Sequence, residues 1–182
     1  MPFTPFHFGP GLLCKSFAPQ WFSMAAFATV QVVIDVETLY HILNGDNVLH
    51  QELHTFVGAT TAGLVTAALI LATLSVSRRV ELASGLLAWT ARIGLGGEIR
   101  PAAVLVGGIV GGVTHPLFDG LMHRDIRPFR PFSDFNPLLG LVDVGLLHLG
   151  CLAAGALGVA ILVGRLALAR ARREPLPPAD EA

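Results

Sequence analysis

Long stretches with no charged side chain restrict this chain more than any other feature. Phe56 to Val76 is an unbroken run of apolar and small residues. Pro101 to Met122 is similar apart from His115 and Asp119, and Leu138 to Val163 is a third, carrying Asp143 and His148. Each is long enough to cross roughly 30 Å of hydrocarbon at ~1.5 Å per residue. A fourth stretch, Trp21 to Leu43, holds Asp35 and Glu37 near its far end. Those carboxylates are costly against lipid and reasonable inside a bundle that uses them. The composition agrees: 53% of residues are hydrophobic and 14% charged, against about a quarter charged in soluble domains. The expected fold is therefore all-α, an integral membrane bundle of about four transmembrane helices. Phe6 to Ala18, at 13 residues, is too short to span; it is expected as a re-entrant or interfacial helix near the N-terminus.

Residues 1–173 are read as one transmembrane domain and 174–182, with Pro175, Pro177 and Pro178, as a disordered tail. Leu82 to Leu95, with Trp89 and Arg92, is expected to lie as a helix at the interface. The start is not expected to be a signal peptide, since it lacks a basic region and is interrupted by Pro2, Pro5 and Pro10. A net charge of −1 offers no case for a nucleic-acid partner. Cys14 and Cys151 lack metal-site spacing and are read as small buried side chains. Gly107, Gly108, Gly111 and Gly112 form a stripe that lets helices approach closely, and packing within the bundle is preferred over a dimer contact.

Arginine distribution suggests an orientation. Arg78, Arg79, Arg92 and Arg100 lie between the second and third spans, Arg165, Arg170, Arg172 and Arg173 follow the fourth, and Lys15 precedes the first. The loop from Asn44 to His54 has no lysine or arginine. The positive-inside rule then puts both termini in the cytoplasm and the 44–54 and 123–137 loops outside. Arg124, Arg127 and Arg130 dissent, because they fall on the expected outer side.

Seven histidines are present. His7, His50, His54, His115 and His123, with Asp35, Glu37, Asp119 and Asp125, fall where the spans meet the expected outer face. His115-x-x-x-Asp119-x-x-x-His123 places an imidazole, a carboxylate and a second imidazole on one helical face. Zinc and similar ions take such ligands. If Pro19 is the low point of a hairpin, His7 and Asp35 stand roughly 18 Å and 24 Å above it, and His115 roughly 21 Å above Pro101. Candidate ligands from separate elements thus reach a similar level. A purely structural role remains open, with Asp119 paired to Arg124 and Glu37 to Arg127. His148, with Asp143, stands apart from the group, and His41 is read as interfacial.

The opening Met1-Pro2-Phe3-Thr4-Pro5-Phe6-His7, the acidic pair Asp35 and Glu37, His54-Thr55 and His115-x-x-x-Asp119 resemble bacterial membrane-bound proteins regarded as metal-dependent hydrolases. These in turn look like distant relatives of the all-helical zinc-dependent phospholipase C and P1 nuclease group. The resemblance runs from residue 1 to about 140. It implies metal ligation by His7, Asp35, His54, His115 and Asp119. Where the family carries a His-Arg-Gly run ending in Thr-His-Ser, this chain has His50-Gln51-Glu52-Leu53-His54-Thr55; where it carries Asp-x-Asp, this chain has Asp35-Val36-Glu37.

The expected chemistry is hydrolysis of a phosphoester at a divalent ion, zinc by preference, in the bacterial inner (plasma) membrane. Glu37 or Asp125 would act as general base, Arg124, Arg127 and Arg130 would hold a phosphate, and His50 and His123 would be alternative ligands. A phospholipid or lipid-linked phosphodiester would be the substrate, with 127–132 as a rigid lip whose phenylalanines face lipid. A metal-ion or proton-coupled transporter, or a non-catalytic membrane protein whose polar cluster staples the helices, are the alternatives.

Overall fold

The computed structural model describes residues 5–77 and 96–171; the expected interfacial helix at 82–95 and the expected disordered tail lie outside them. After a 3-10 turn at Pro5–His7 come α1 (Phe8–Phe17), α2 (Met24–Asn44), α3 (Phe56–Ser77), α4 (Pro101–Met122) and α5 (Val144–Ala171), with further 3-10 turns at Glu52–His54 and Gly96–Ile99. There is no strand among the described residues. Four helices are long and apolar enough to cross a membrane: Met24–Asn44, Phe56–Val76, Pro101–Met122 and Val144–Leu168. Large apolar side chains such as Leu69, Leu146, Leu152 and Val163 are exposed around the bundle, a distribution that suits hydrocarbon rather than water.

The helix ends follow local chemistry. The Ser23 hydroxyl accepts the N–H of Ala26 at the start of α2, and Gly45, at φ 73°, returns its N–H to His41 and Ile42 at the end. This left-handed cap is one a residue without a Cβ adopts freely. Pro101 opens α4, where a missing N–H is no loss. The last span departs from its expected bounds of 138–163. Gly140, at φ 75°, breaks the run, and Asp143 accepts the N–H of Leu146 at 3.0 Å. Asp143 is thus a cap ahead of α5, not a charge within it, and the helix runs on to Ala171.

The glycine stripe of α4 is used within the chain, in two directions. A Cβ on Gly112 would stand 2.4 Å from the Ala59 carbonyl oxygen of α3, and one on Gly107 would stand 2.3 Å from the carbonyl oxygen of Ser23, the cap of α2. Such backbone contact is open only to residues without a side chain. It places α4 at the centre, against both α2 and α3.

The N-terminal segment folds back as the hairpin reading requires. Its turn closes where the N–H groups of Trp21 and Phe22 both reach the Ala18 carbonyl at 3.0 Å. Lys15 is buried there, donating to the carbonyls of Pro19 and Phe22 at 2.9 and 2.8 Å and pairing with Glu98. Glu98 also accepts the Ser23 hydroxyl and the Ala25 N–H. Lys15, seen in the sequence as an orienting charge, is therefore also the pin of the hairpin. Contacts of Gly9 with Cys151, Leu12 with Gly158, and Ser16 with Arg165 advance together, so α1 and α5 run parallel. Pro5–His7 consequently begins at the opposite end of the bundle from the close of α5. Among the described residues the first and last elements thus end on opposite sides of the bundle, whereas the sequence reading sets both termini on one side. Cys14 is also corrected: it is exposed on the outer side of α1, while Cys151 is buried.

Glu98→Gln leaves the buried Lys15 ammonium with carbonyl partners alone. We expect a loss of about 3 kcal/mol in stability, read as a lowered unfolding temperature in detergent. Lys15→Met added to Glu98→Gln should recover most of that loss, since no charge is then stranded.

Candidate metal centre

Three parts of the chain bring side chains to one point inside the bundle, about seven residues below the end of α4. The spacing on α2 sets Gln31, Asp35 and Thr38 on its inward face. The Glu52–His54 turn aims His54 inward, and His115 and Asp119 lie one turn apart on α4. Asp35, His54, His115 and Asp119 each offer a ligand atom within 4.8 Å of the others, a group that can hold a metal ion. His115 Nε2 lies 3.3 Å from His54 Nε2, 3.5 Å from Asp35 Oδ1 and 3.3 Å from Asp119 Oδ2. His54 Nε2 is 3.8 Å from Asp119 Oδ2 and 4.0 Å from Asp35 Oδ1. Ligands on one tetrahedral ion at about 2.0–2.2 Å are separated by roughly 3–4 Å.

The hydrogen bonds around this group decide where the protons are. The Gln31 amide donates through Nε2 to the Gly111 carbonyl at 3.3 Å, so its Oε1 faces His115 Nδ1, at 2.6 Å. That oxygen can only accept, and His115 Nδ1 must carry the hydrogen. His54 Nδ1 lies 3.0 Å from Glu37 Oε2, so it too carries its hydrogen. In their neutral forms both rings then turn Nε2 lone pairs toward each other and toward two carboxylates. Fixing Nδ1 in order to present Nε2 is how proteins prepare histidine for a metal. His54 and His115 are fully buried and Asp119 is 3% exposed. Among the described residues, Asp35, Glu37 and Asp119 pair with histidines and with no lysine or arginine. The pairings of Asp119 with Arg124 and of Glu37 with Arg127 weighed from the sequence are absent among them.

His7 stands at the edge of the group. Its Nε2 is 3.1 Å from Asp119 Oδ1, yet those two atoms and His7 Nδ1 are buried without a hydrogen bond of acceptable geometry. Its ring is 5.0 Å from that of His115, as a segment that folds back to the level of His115 requires. A carboxylate oxygen and an imidazole nitrogen held close but misaligned fit a shared cation better than a mutual hydrogen bond.

The other expected residues sort into different places. Glu37 accepts the N–H groups of Gln51 and Leu53 and faces His54 Nδ1, which fixes the orientation of that ring. His50, His123 and Asp125 form a separate group nearer the end of the bundle. Burial, with the nearby His54, lowers the pKa of His50, and burial lowers that of His123, so both favour the neutral imidazole. Burial alone would raise Asp125, but hydrogen bonds from His50 and Leu49 bring it below its ordinary value. A cavity of about 300 Å³ opens on His50 and Asp125 and is walled by Arg127 and Arg130. Arg124 is exposed and is not among its walls. Arg127 donates to the Arg124 and Ile126 carbonyls, and Arg130 pairs with Asp134. The 127–132 segment is tied down where the Phe56 N–H reaches the Pro128 carbonyl at 2.8 Å, and Phe132 projects at 87% exposure. His41 binds Asp46 near the end of α2. His148 stacks on Phe6 at 4.2 Å, apart from the ligand group.

Gln31 and Thr38, whose hydroxyl lies 3.3 Å from His54 Nε2, were missed as site residues. Their signal was available: both share a helical face with Asp35, four residues before it and three after. No family model, no curated protein and no solved structure matches this chain.

Proposed function

We propose that this protein is a membrane-embedded, metal-dependent hydrolase with a zinc ion held by Asp35, His54, His115 and Asp119, and with His7 beside Asp119. The observation that carries the reading is the pair of buried imidazoles whose Nδ1 atoms are committed to Glu37 and Gln31. Their Nε2 lone pairs face each other at 3.3 Å between two carboxylates. With neutral rings and no cation, that arrangement sets acceptors and negative charge against one another in a low dielectric, and a metal ion relieves it as a proton on Nε2 would. The metal, when bound, makes water a competent nucleophile near neutral pH. The protein's own part is orientation: Glu37 and Gln31 hold the two rings, and burial keeps competing water out.

The substrate class follows from the surroundings. Arg127 and Arg130 wall the adjoining cavity, and guanidinium pairs with phosphate through two hydrogen bonds. The exposed Phe132 and Phe135 beside it suit a membrane interface. These features support a phosphoester, specifically a phospholipid or lipid-linked phosphodiester approaching at headgroup level. The resemblance of the opening segment and of His115-x-x-x-Asp119 to membrane-bound metal-dependent hydrolases agrees with this reading. We place the site on the outer side of the bacterial plasma membrane, since the 44–54 loop at the site end lacks lysine and arginine.

Protein purified in detergent should contain zinc and cleave a phosphodiester, losing activity with a chelator and regaining it with zinc. Bound zinc without turnover on phospholipid or soluble phosphodiesters would refute the enzyme reading. Gln31→Leu and Glu37→Gln should each weaken metal binding by about 10–100-fold, measured by competition with a chelating dye. For orientation, Asn47→Cys in a chain lacking Cys14 and Cys151 should react with an impermeant maleimide on intact cells. Reaction only after lysis would reverse the topology.

A further inference from the structure

We propose that His50, His123 and Asp125 form a second divalent-cation site, placed at the mouth of the first. It deepens the hydrolase reading, and its catalytic meaning rests on that reading, but its occupancy is measurable separately.

The three residues each present a ligand atom within 4.8 Å of the other two, and they share no residue with the inner group. Asp125 Oδ2 receives the Leu49 N–H at 3.1 Å, the His50 N–H at 3.3 Å and His50 Nδ1 at 2.9 Å. His50 Nδ1 and Asp125 Oδ2 are therefore the atoms that a cation would meet together, the ion taking the place of the hydrogen between them. His123 stacks over His50 with ring centres 4.6 Å apart, and His50 meets His54 edge-on at 4.7 Å. The outer group thus lies directly beside the inner one.

The sequence spacing acquires a meaning here. His115 and Asp119 lie one turn apart on α4 and His123 caps its end, so the same end of the helix serves first one ion and then the next. Two imidazoles and a carboxylate with open positions suit a transition-metal ion such as zinc or cobalt. The cavity of about 300 Å³ that reaches His50 and Asp125 supplies an access path, and Arg127 and Arg130 on its walls suit an anionic phosphate approaching the outer ion. Asp125, expected from the sequence as a general base, becomes a ligand.

The test is stoichiometric. Metal is stripped from the purified full chain with a chelator, Co²⁺ is added, and bound cobalt per chain is read by elemental analysis and visible absorption. The unaltered protein should bind two ions. His123→Ala and, independently, Asp125→Asn should bind one and keep the absorption of the inner site, while His115→Ala should bind one and lose that absorption. Saturation of the unaltered protein at one ion, with His123→Ala and Asp125→Asn unchanged, overturns the second site and leaves the first standing. No cobalt on any of them overturns both. Circular dichroism on each variant separates loss of a ligand from loss of the fold, with Asp125→Asn as the gentler replacement.

Discussion

Replacing His54 by alanine is expected to lower affinity for the inner ion by more than about 100-fold, exceeding the roughly 10–100-fold that loss of a supporting hydrogen bond brings. On the proposed function, hydrolysis should fall with it. The reason is geometric. His54 is fully buried, comes from a turn rather than from a spanning helix, and has no substitute in the inner group, since His50 Nδ1 is engaged by Asp125. The change also leaves Glu37 facing a void, with only the Gln51 and Leu53 N–H groups for partners. His148→Ala is the control. That ring stacks on Phe6 and touches no member of the group, so metal content and turnover should stay within about twofold of the unaltered protein if its role is confined to packing. Equal losses from the two substitutions would refute the assignment of His54.

Gly112→Leu should have the largest effect on stability. Its Cβ alone would stand 2.4 Å from the Ala59 carbonyl oxygen and 2.9 Å from the Thr60 Cα. The clash is with backbone, so no side-chain rotation relieves it; α3 and α4 must part. Overpacking of this kind costs about 1–3 kcal/mol in a deformable core and more where backbone is the obstacle, so we expect at least about 3 kcal/mol. Metal binding should fall in the same variant, because His54 directly precedes α3 and His115 and Asp119 sit on α4. Gly164→Leu is the comparison: nothing stands within 4 Å of a Cβ there, and a leucine should be neutral or mildly stabilising in α5. Unfolding temperatures in detergent, with bound metal measured alongside, check both. A Gly112→Leu protein that melts with the unaltered one and holds its metal would show that the close approach of α3 and α4 does not secure the site.

Much of this architecture was legible because a bilayer leaves a chain few choices. The runs at 56–76 and 101–122 set two spans to within a residue, since nothing in the first interrupts a helix and the helix of the second continues through Pro116. The 138–163 run misled, because Gly140 and Asp143 are individually ordinary in an apolar stretch, and only the left-handed Gly140 and the Asp143 cap show where α5 begins. Lys15 illustrates the same limit. A lone lysine reads as an orienting charge, and nothing local reveals that Glu98, far along the chain, meets it.

For the site, the sequence by itself determined which residues could ligate and that His115 and Asp119 would cooperate, because one turn of helix sets their relation whatever surrounds it. It also determined that the short opening segment could not span. Only the tertiary structure decided that His54 joins that pair while His50 and His123 stand with Asp125, that Glu37 faces His54 Nδ1, and that Gln31 reaches His115. Those outcomes depend on how α2, the 52–54 turn and α4 are rotated about their axes. That rotation is set by glycines pressing backbone against backbone between helices distant in the chain, a relation that no local spacing encodes.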